Sequence, residues 1–182
     1  MLVEALGDEA LAVREPGGTP VGERLRELLK DPALTLGPEA EALLFAAARA
    51  ELVAQVIRPA LEAGRVVVSD RFLDSSLAYQ GVARGLGVDE VRQINDFAVR
   101  GLTPDITFLL QIDPESAATR AGQLDRFEDE GDSLQNAVFD AYAELAEADP
   151  SRWRILDADR PSVVVHSDVL EAVRHARAGA RV

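Results

Sequence analysis

The chain has no cysteine, which excludes disulfides, thiolate metal sites and thiol catalysis. Histidine is almost as scarce: His166 and His175 are the only two, both in a helical-looking C-terminal stretch. Metal chemistry built on imidazole is therefore not expected. No run of about 18 apolar residues occurs, so no membrane span is expected. Met1-Leu2-Val3-Glu4 lacks the basic start and apolar core of a secretory leader. Together these absences make a soluble cytoplasmic protein the expectation. Positive charge is also short: the net charge is −13 and the pI about 4.5. Such a chain repels polyanions at long range, which argues against a broad nucleic-acid surface. It does not forbid a small phosphorylated substrate held by a local group of arginines. Lysine occurs once, as Lys30, and arginine supplies the other 18 of the 19 basic residues. Its planar fork suits phosphate oxygens bidentately.

What is present fits one globular domain over residues 1–182, with 47% apolar and 28% charged residues. Apolar runs near 10–14, 65–70, 105–112 and 153–156 read as strands and alternate with helical segments. That alternation predicts an α/β fold, a parallel sheet with helices on both faces. Residues 2–6 read as a short helix closed by Gly7, and 21–30 as an amphipathic helix. A longer helix is expected over 38–64, with Leu43, Leu44, Leu52, Val53, Val56, Ile57 and Leu61 as its apolar stripe and Pro59 kinking it or ending its regular part. Further helices are expected over 88–100, from Pro114, over 134–148 and over 162–177.

The chain is organised around residues 66–81, VVVSDRFLDSSLAYQG. The apolar opening predicts a strand buried on both faces. It ends in Ser69-Asp70-Arg71, a carboxylate and a guanidinium at the carboxyl end of a strand, where open α/β sheets place their sites. Ser75/Tyr79 and Ser76/Gln80 are each i,i+4 on the helix that follows, so their polar ends line one side, toward a pocket or toward water. Taken alone, Asp70 reads as a helix N-cap and Arg71 as its surface partner. The longer pattern Asp70-Arg71-Phe72-x-x-Ser75-x-x-Ala78-Tyr79-Gln80-Gly81 closely resembles the signature of the thymidylate kinases. Two more stretches resemble that family in the same order. Arg14-Glu15-Pro16-Gly17-Gly18-Thr19 follows a short strand, and Asp125-Arg126-Phe127-Glu128 lies in a polar segment that resembles the family's lid, about 119–132. Without that company the first is a turn and the second a solvated charge run. Phe45 and Arg49, i,i+4 in a Leu-Phe-x-Ala-x-Arg setting, otherwise read as a core aromatic beside a snorkelling arginine.

The resemblance implies a P-loop nucleoside-monophosphate-kinase-like fold that transfers the terminal phosphate of ATP to dTMP, with Mg²⁺ as cofactor. By resemblance, Arg71 grips the acceptor phosphate with Arg14 assisting, and Arg126 closes over the transferring group. Asp70 anchors the Mg²⁺ shell and Glu15 supports that region. Phe45 stacks on the base and Arg49 bonds a ring carbonyl. Ser75, Ser76 and Gln80 address the base and its surroundings, and Tyr79 presses on the sugar edge. A homodimer is implied as well. The chain departs from the family pattern in two places. No G-x-x-x-x-G-K-[ST] phosphate loop exists among the residues, and Lys30 lies in the wrong context for one. The expectation is an N-terminally truncated form of a complete enzyme, its first strand and phosphate loop missing. The edges of the Val66–Val68 and Phe108–Leu110 strands would then face a gap. An intact mass of the natural protein equal to 19.6 kDa would contradict it. Before Asp125-Arg126-Phe127-Glu128 the lid also carries only Arg120, at a shifted spacing, with Ala121 where the family often has arginine. Rival readings are a kinase for another nucleoside monophosphate, a degenerate nucleotide-binding domain without transfer, and a purely structural acidic domain.

Overall fold

A computed structural model describes residues 1–112 and 132–179. Its elements run α1 (Leu2–Leu6), β1 (Ala10–Arg14), α2 (Pro20–Lys30) and α3 (Pro38–Leu52), then α4 (Arg58–Glu62), β2 (Val66–Asp70), α5 (Leu73–Ser76) and α6 (Val88–Val99). β3 (Thr107–Gln111), α7 (Asp132–Ala148), β4 (Trp153–Asp157) and α8 (Ser162–Gly179) complete the described residues. All four expected strands form, and each pairing is parallel, so the α/β class stands.

The sheet is not continuous. β1 pairs with β2 and β3 with β4, as two separate two-stranded sheets. The facing edges of β2 and β3 line a mainly apolar cleft of about 740 Å³, floored in part by Phe72, Leu102 and Val173. The gap expected between these strands is therefore present. It also corrects the reading of β2 as buried on both faces: Val66 to Ser69 are only half-buried, because one edge has no neighbouring strand. For the same reason Leu110 on β3 is 53% exposed.

The helices depart from uniform α geometry at two informative places. After Leu52 the chain widens into a π turn over Val53–Ile57 before α4 begins. Pro59 at the start of α4 has no N–H to give, so the helix is interrupted on its N-terminal side, as the proline predicts. Leu43 and Leu61 fall outside the expected apolar stripe and stand 55% and 38% exposed. The second π turn, Leu77–Ala83, continues α5. Such turns gather at functional sites.

Packing ties β1 and β2 to the helices. Leu52, Val53, Ile57 and Val99 form one buried cluster, with Val13 and Val67 from the strands against it. Leu73, Leu77 and Val91 form another, and Ala78, Val138 and Ala141 join the second π turn to α7. Each fully buried Leu or Val contributes about 1.5–3 kcal/mol. These clusters hold α3, the π turn and α6 as walls around the polar residues described next.

Candidate active site

The turn after β1 is built tightly. Thr19 caps α2 by accepting from Gly22 N–H at 2.9 Å, a standard hydroxyl cap. Glu23, which the sequence reading missed, accepts from Gly18 N–H at 2.8 Å and lies 3.2 Å from Arg14. The Gly18 amide, with Arg14 beside it, lowers the Glu23 carboxyl below its usual range. Gly17 has φ +139, and a Cβ there would meet Glu23 Oε1 at 2.6 Å. The positive φ is what favours glycine at this position. Arg26 closes the turn by donating to the Pro16 carbonyl at 2.8 Å. Arg14 itself is exposed.

Glu15 turns inward from the same stretch. Its N–H donates to the Asp70 carbonyl at 3.1 Å, fixing it to the end of β2. Its Oε2 accepts from Arg49 Nε at 2.7 Å, and both side chains are almost fully buried. Arg49 Nη1 also donates to Ser76 Oγ at 3.0 Å and to Asn95 Oδ1, while Nη2 reaches the Phe72 carbonyl at 3.3 Å. The guanidinium lies 5.7 Å from the Phe72 ring centre. Every guanidinium nitrogen is thus engaged. Burial pushes the Glu15 carboxyl above its usual range, with the attraction of Arg49 opposing it. Its second oxygen, Oε1, is buried with no partner among the described residues.

Asp70 and Arg71 stand exposed at the end of β2. Arg71 has φ +68, a left-handed conformation unusual for a residue with a side chain. Ser69 Oγ donates to the Arg71 carbonyl at 2.6 Å and supports that turn. Strain of this kind concentrates at ligand clamps. The guanidinium lies 5.4 Å from the Tyr79 ring centre and 3.5 Å from Tyr142 Oη. Tyr142 in turn donates to Ser75 Oγ at 2.7 Å, and burial raises its phenol, which stays protonated.

The two i,i+4 pairs thus serve different neighbours. Ser75 and Tyr79 face Arg71 and Tyr142, whereas Ser76 and Gln80 are buried against α3. Gln80 Nε2 donates to Glu41 Oε1 at 2.9 Å, and Glu41 is held by Arg84 at 3.1 Å. Phe45 is half-buried on α3, in line with Glu41 and Arg49 at i,i+4 spacing. Asp74 pairs with Arg152 at 2.7 Å. Arg126, Arg120 and the rest of the lid stretch lie outside the described residues, as does Pro114.

Two residues missed from the sequence, Asn95 and Glu41, carried a readable signal. Asn95 interrupts the stripe Val91, Asn95, Val99 on α6, a polar residue at a core position; its Nδ2 donates to the Val91 carbonyl, which leaves Oδ1 for Arg49. Glu41 is likewise a charge in line with Phe45 and Arg49. Tyr142 gave no such signal, since only the fold brings α7 to Arg71.

A family model described as Thymidylate kinase matches residues 1–169. The chain is 45% identical over 174 residues to the thymidylate kinase of Deinococcus radiodurans, covering 94% of this chain and 84% of the relative. Identity to that of Halorhodospira halophila is 50% over 179 residues, covering 96% and 81%. For the Pelotomaculum thermopropionicum protein of the same name it is 47% over 175 residues, covering 93% and 81%.

Proposed function

The chain belongs to the thymidylate kinase family, and on that premise we propose a role for each side chain of the site. The reaction is transfer of the terminal phosphoryl group of ATP to dTMP, giving dTDP and ADP. Such transfer asks the protein for positioning and charge neutralisation rather than covalent help. The observation that carries the assignment is Arg71, held at φ +68 at the carboxyl end of β2 beside Tyr79 and Tyr142. It takes the phosphate of dTMP, and Arg14 assists from the opposite turn. Tyr79 and Ser75 border the sugar.

The base lies against α3. Phe45 stacks on its face, and Gln80, Ser76 and Arg49 meet its polar edge. A ring carbonyl approaching Arg49 takes the place of the rotatable Ser76 hydroxyl, because no guanidinium nitrogen stands idle. Glu15, Asn95 and the Phe72 carbonyl keep the guanidinium in place while that exchange occurs.

The residues fit Mg²⁺, a hard ion that takes one or two carboxylates, phosphate oxygens and several waters. Asp70 is exposed at the strand end, and the neighbouring Glu15 keeps an oxygen with no partner among the described residues. Asp70 would hold the ion's shell through water, and the ion supplies neutralisation of phosphate charge. Arg126 closes over the transferring group and excludes water; it lies outside the described residues. Residues 1–182 act as one domain, in the cytoplasm. Among the described residues no helix is long and apolar enough to cross a membrane. The 88% exposure of Phe97 on α6 supports a second copy of the chain packing there as a homodimer.

ADP release by residues 1–182 with ATP, Mg²⁺ and each nucleoside monophosphate tests the assignment. Turnover specific to dTMP is expected where the donor is held. Turnover with another monophosphate in preference would overturn the acceptor assignment. Specific dTMP binding with no turnover would place the donor contacts outside this sequence, which holds no G-x-x-x-x-G-K-[ST] loop.

A further inference from the structure

Behind Gln80 lies a buried chain of charges. Glu41, 1% exposed, sits in the first turn of α3 and accepts from Gln80 Nε2 at 2.9 Å through Oε1. Arg84, four residues past Gln80 and directly after the π turn, grips the same carboxylate with Nε at 3.2 Å and Nη2 at 3.1 Å. Along α3, Glu41 and Arg49 bracket Phe45 at i,i+4 spacing. On the facing turn, Gln80 meets Glu41 and Ser76 meets Arg49. The two polar contacts therefore lie on either side of the stacking residue.

An amide side chain is ambiguous, since its oxygen and nitrogen ends have nearly the same shape. Chemistry resolves it here. A carboxylate paired with arginine can only accept, so Gln80 must turn its NH₂ toward Glu41. The oxygen is then the end left for a ligand's donor.

We propose that Glu41, clamped by Arg84, is a positioning residue that fixes the Gln80 amide and so selects a pyrimidine ring with N–H at position 3. A thymine or uracil ring offers that donor, whereas cytosine has a bare nitrogen there and would face oxygen with a lone pair. The inference rests on the reading that Gln80 meets the base. Leaving such a polar group wrongly paired weakens binding by about tenfold, and the loss falls on the wrong ring, which is how specificity arises.

The test measures dissociation constants of dTMP, dUMP and dCMP by calorimetry. The double variant Glu41→Met/Arg84→Met removes both charges of the pair together and frees the amide to rotate. It should shrink the preference for dTMP over dCMP by about tenfold, with dUMP moving alongside dTMP. Glu41→Gln, whose own amide turns either way, should shift the ratio in the same direction by less, and Glu41→Asp should restore part of it. Equal weakening of all three nucleotides, or an unchanged ratio in a folded variant, would overturn the proposal. Should the double variant not fold, Glu41→Gln decides the matter. Gln80→Ala separates the two levels: unchanged dTMP affinity would remove Gln80 from the base site. Lost affinity there with no effect at Glu41 would remove only the positioning role.

Discussion

Around Arg49 the buried polar groups of four segments find one another: Glu15 from the β1 turn, Ser76 from α5, Asn95 from α6 and the Phe72 carbonyl. Some distance along the same β2 strand, the backbone edges of β2 and β3 face each other across a cleft of about 740 Å³ with no pairing between them. The first region is closed by groups from the described residues, and Glu15 Oε1 finds no partner among them. The second is a pair of strand edges whose hydrogen bonds go to no described residue. The residues proposed to meet the acceptor thus lie where the polar groups are paired, and the cleft adjoins them through Asp70 and Arg71, which stand on its rim.

Substitutions on each side should separate the two. The largest effect is expected at Arg71, where Arg71→Ala should lower kcat by about 10²–10³-fold, the usual loss for one charge-stabilising donor. Steady-state rates read it, with the thermal midpoint staying near that of the parent chain. Next comes Arg49→Met, which strands Glu15 and should destabilise by about 3–5 kcal/mol at neutral pH. Glu15 already titrates above its usual range, and losing Arg49 raises it further. A carboxyl whose folded pKa exceeds its unfolded value of about 4.3 contributes stability below that value and loses it as pH climbs through the folded one. The gap between variant and parent in denaturant midpoint should therefore narrow at pH 5. A gap that widens on acidification would contradict the buried pair. Phe45→Ala should weaken dTMP by about 1–3 kcal/mol, the worth of one base–aromatic stack, seen as a higher KM with kcat little changed. The smallest effect belongs to the cleft. Leu110→Gln, at a half-exposed edge position, should change stability by no more than about 0.5 kcal/mol.

Much of this was legible in the residues. Strand runs, the helix over residues 88–100 and the proline break before α4 follow from local periodicity and from the missing proline N–H. The split sheet followed from the absence of a phosphate loop together with family order. The sequence could not show that β2 would be half-buried, because its alternation of neighbours is a tertiary property. Arg49 could be singled out from the sequence, but not as a guanidinium with every nitrogen engaged. That depends on Asn95 and Phe72 arriving from elements 20 to 50 residues away in the chain, on the order of several loop closures. Asn95 and Glu41 could have been singled out as polar interruptions of helical stripes. Tyr142 could not, since nothing local marks it.

The proposed contacts to dTMP, Arg126 apart, all come from the described residues. Calorimetric titration of dTMP into this chain without ATP tests them most directly. One binding site per chain is expected, weakened by Arg71→Ala and by Phe45→Ala. A folded chain that takes up no dTMP would contradict the account.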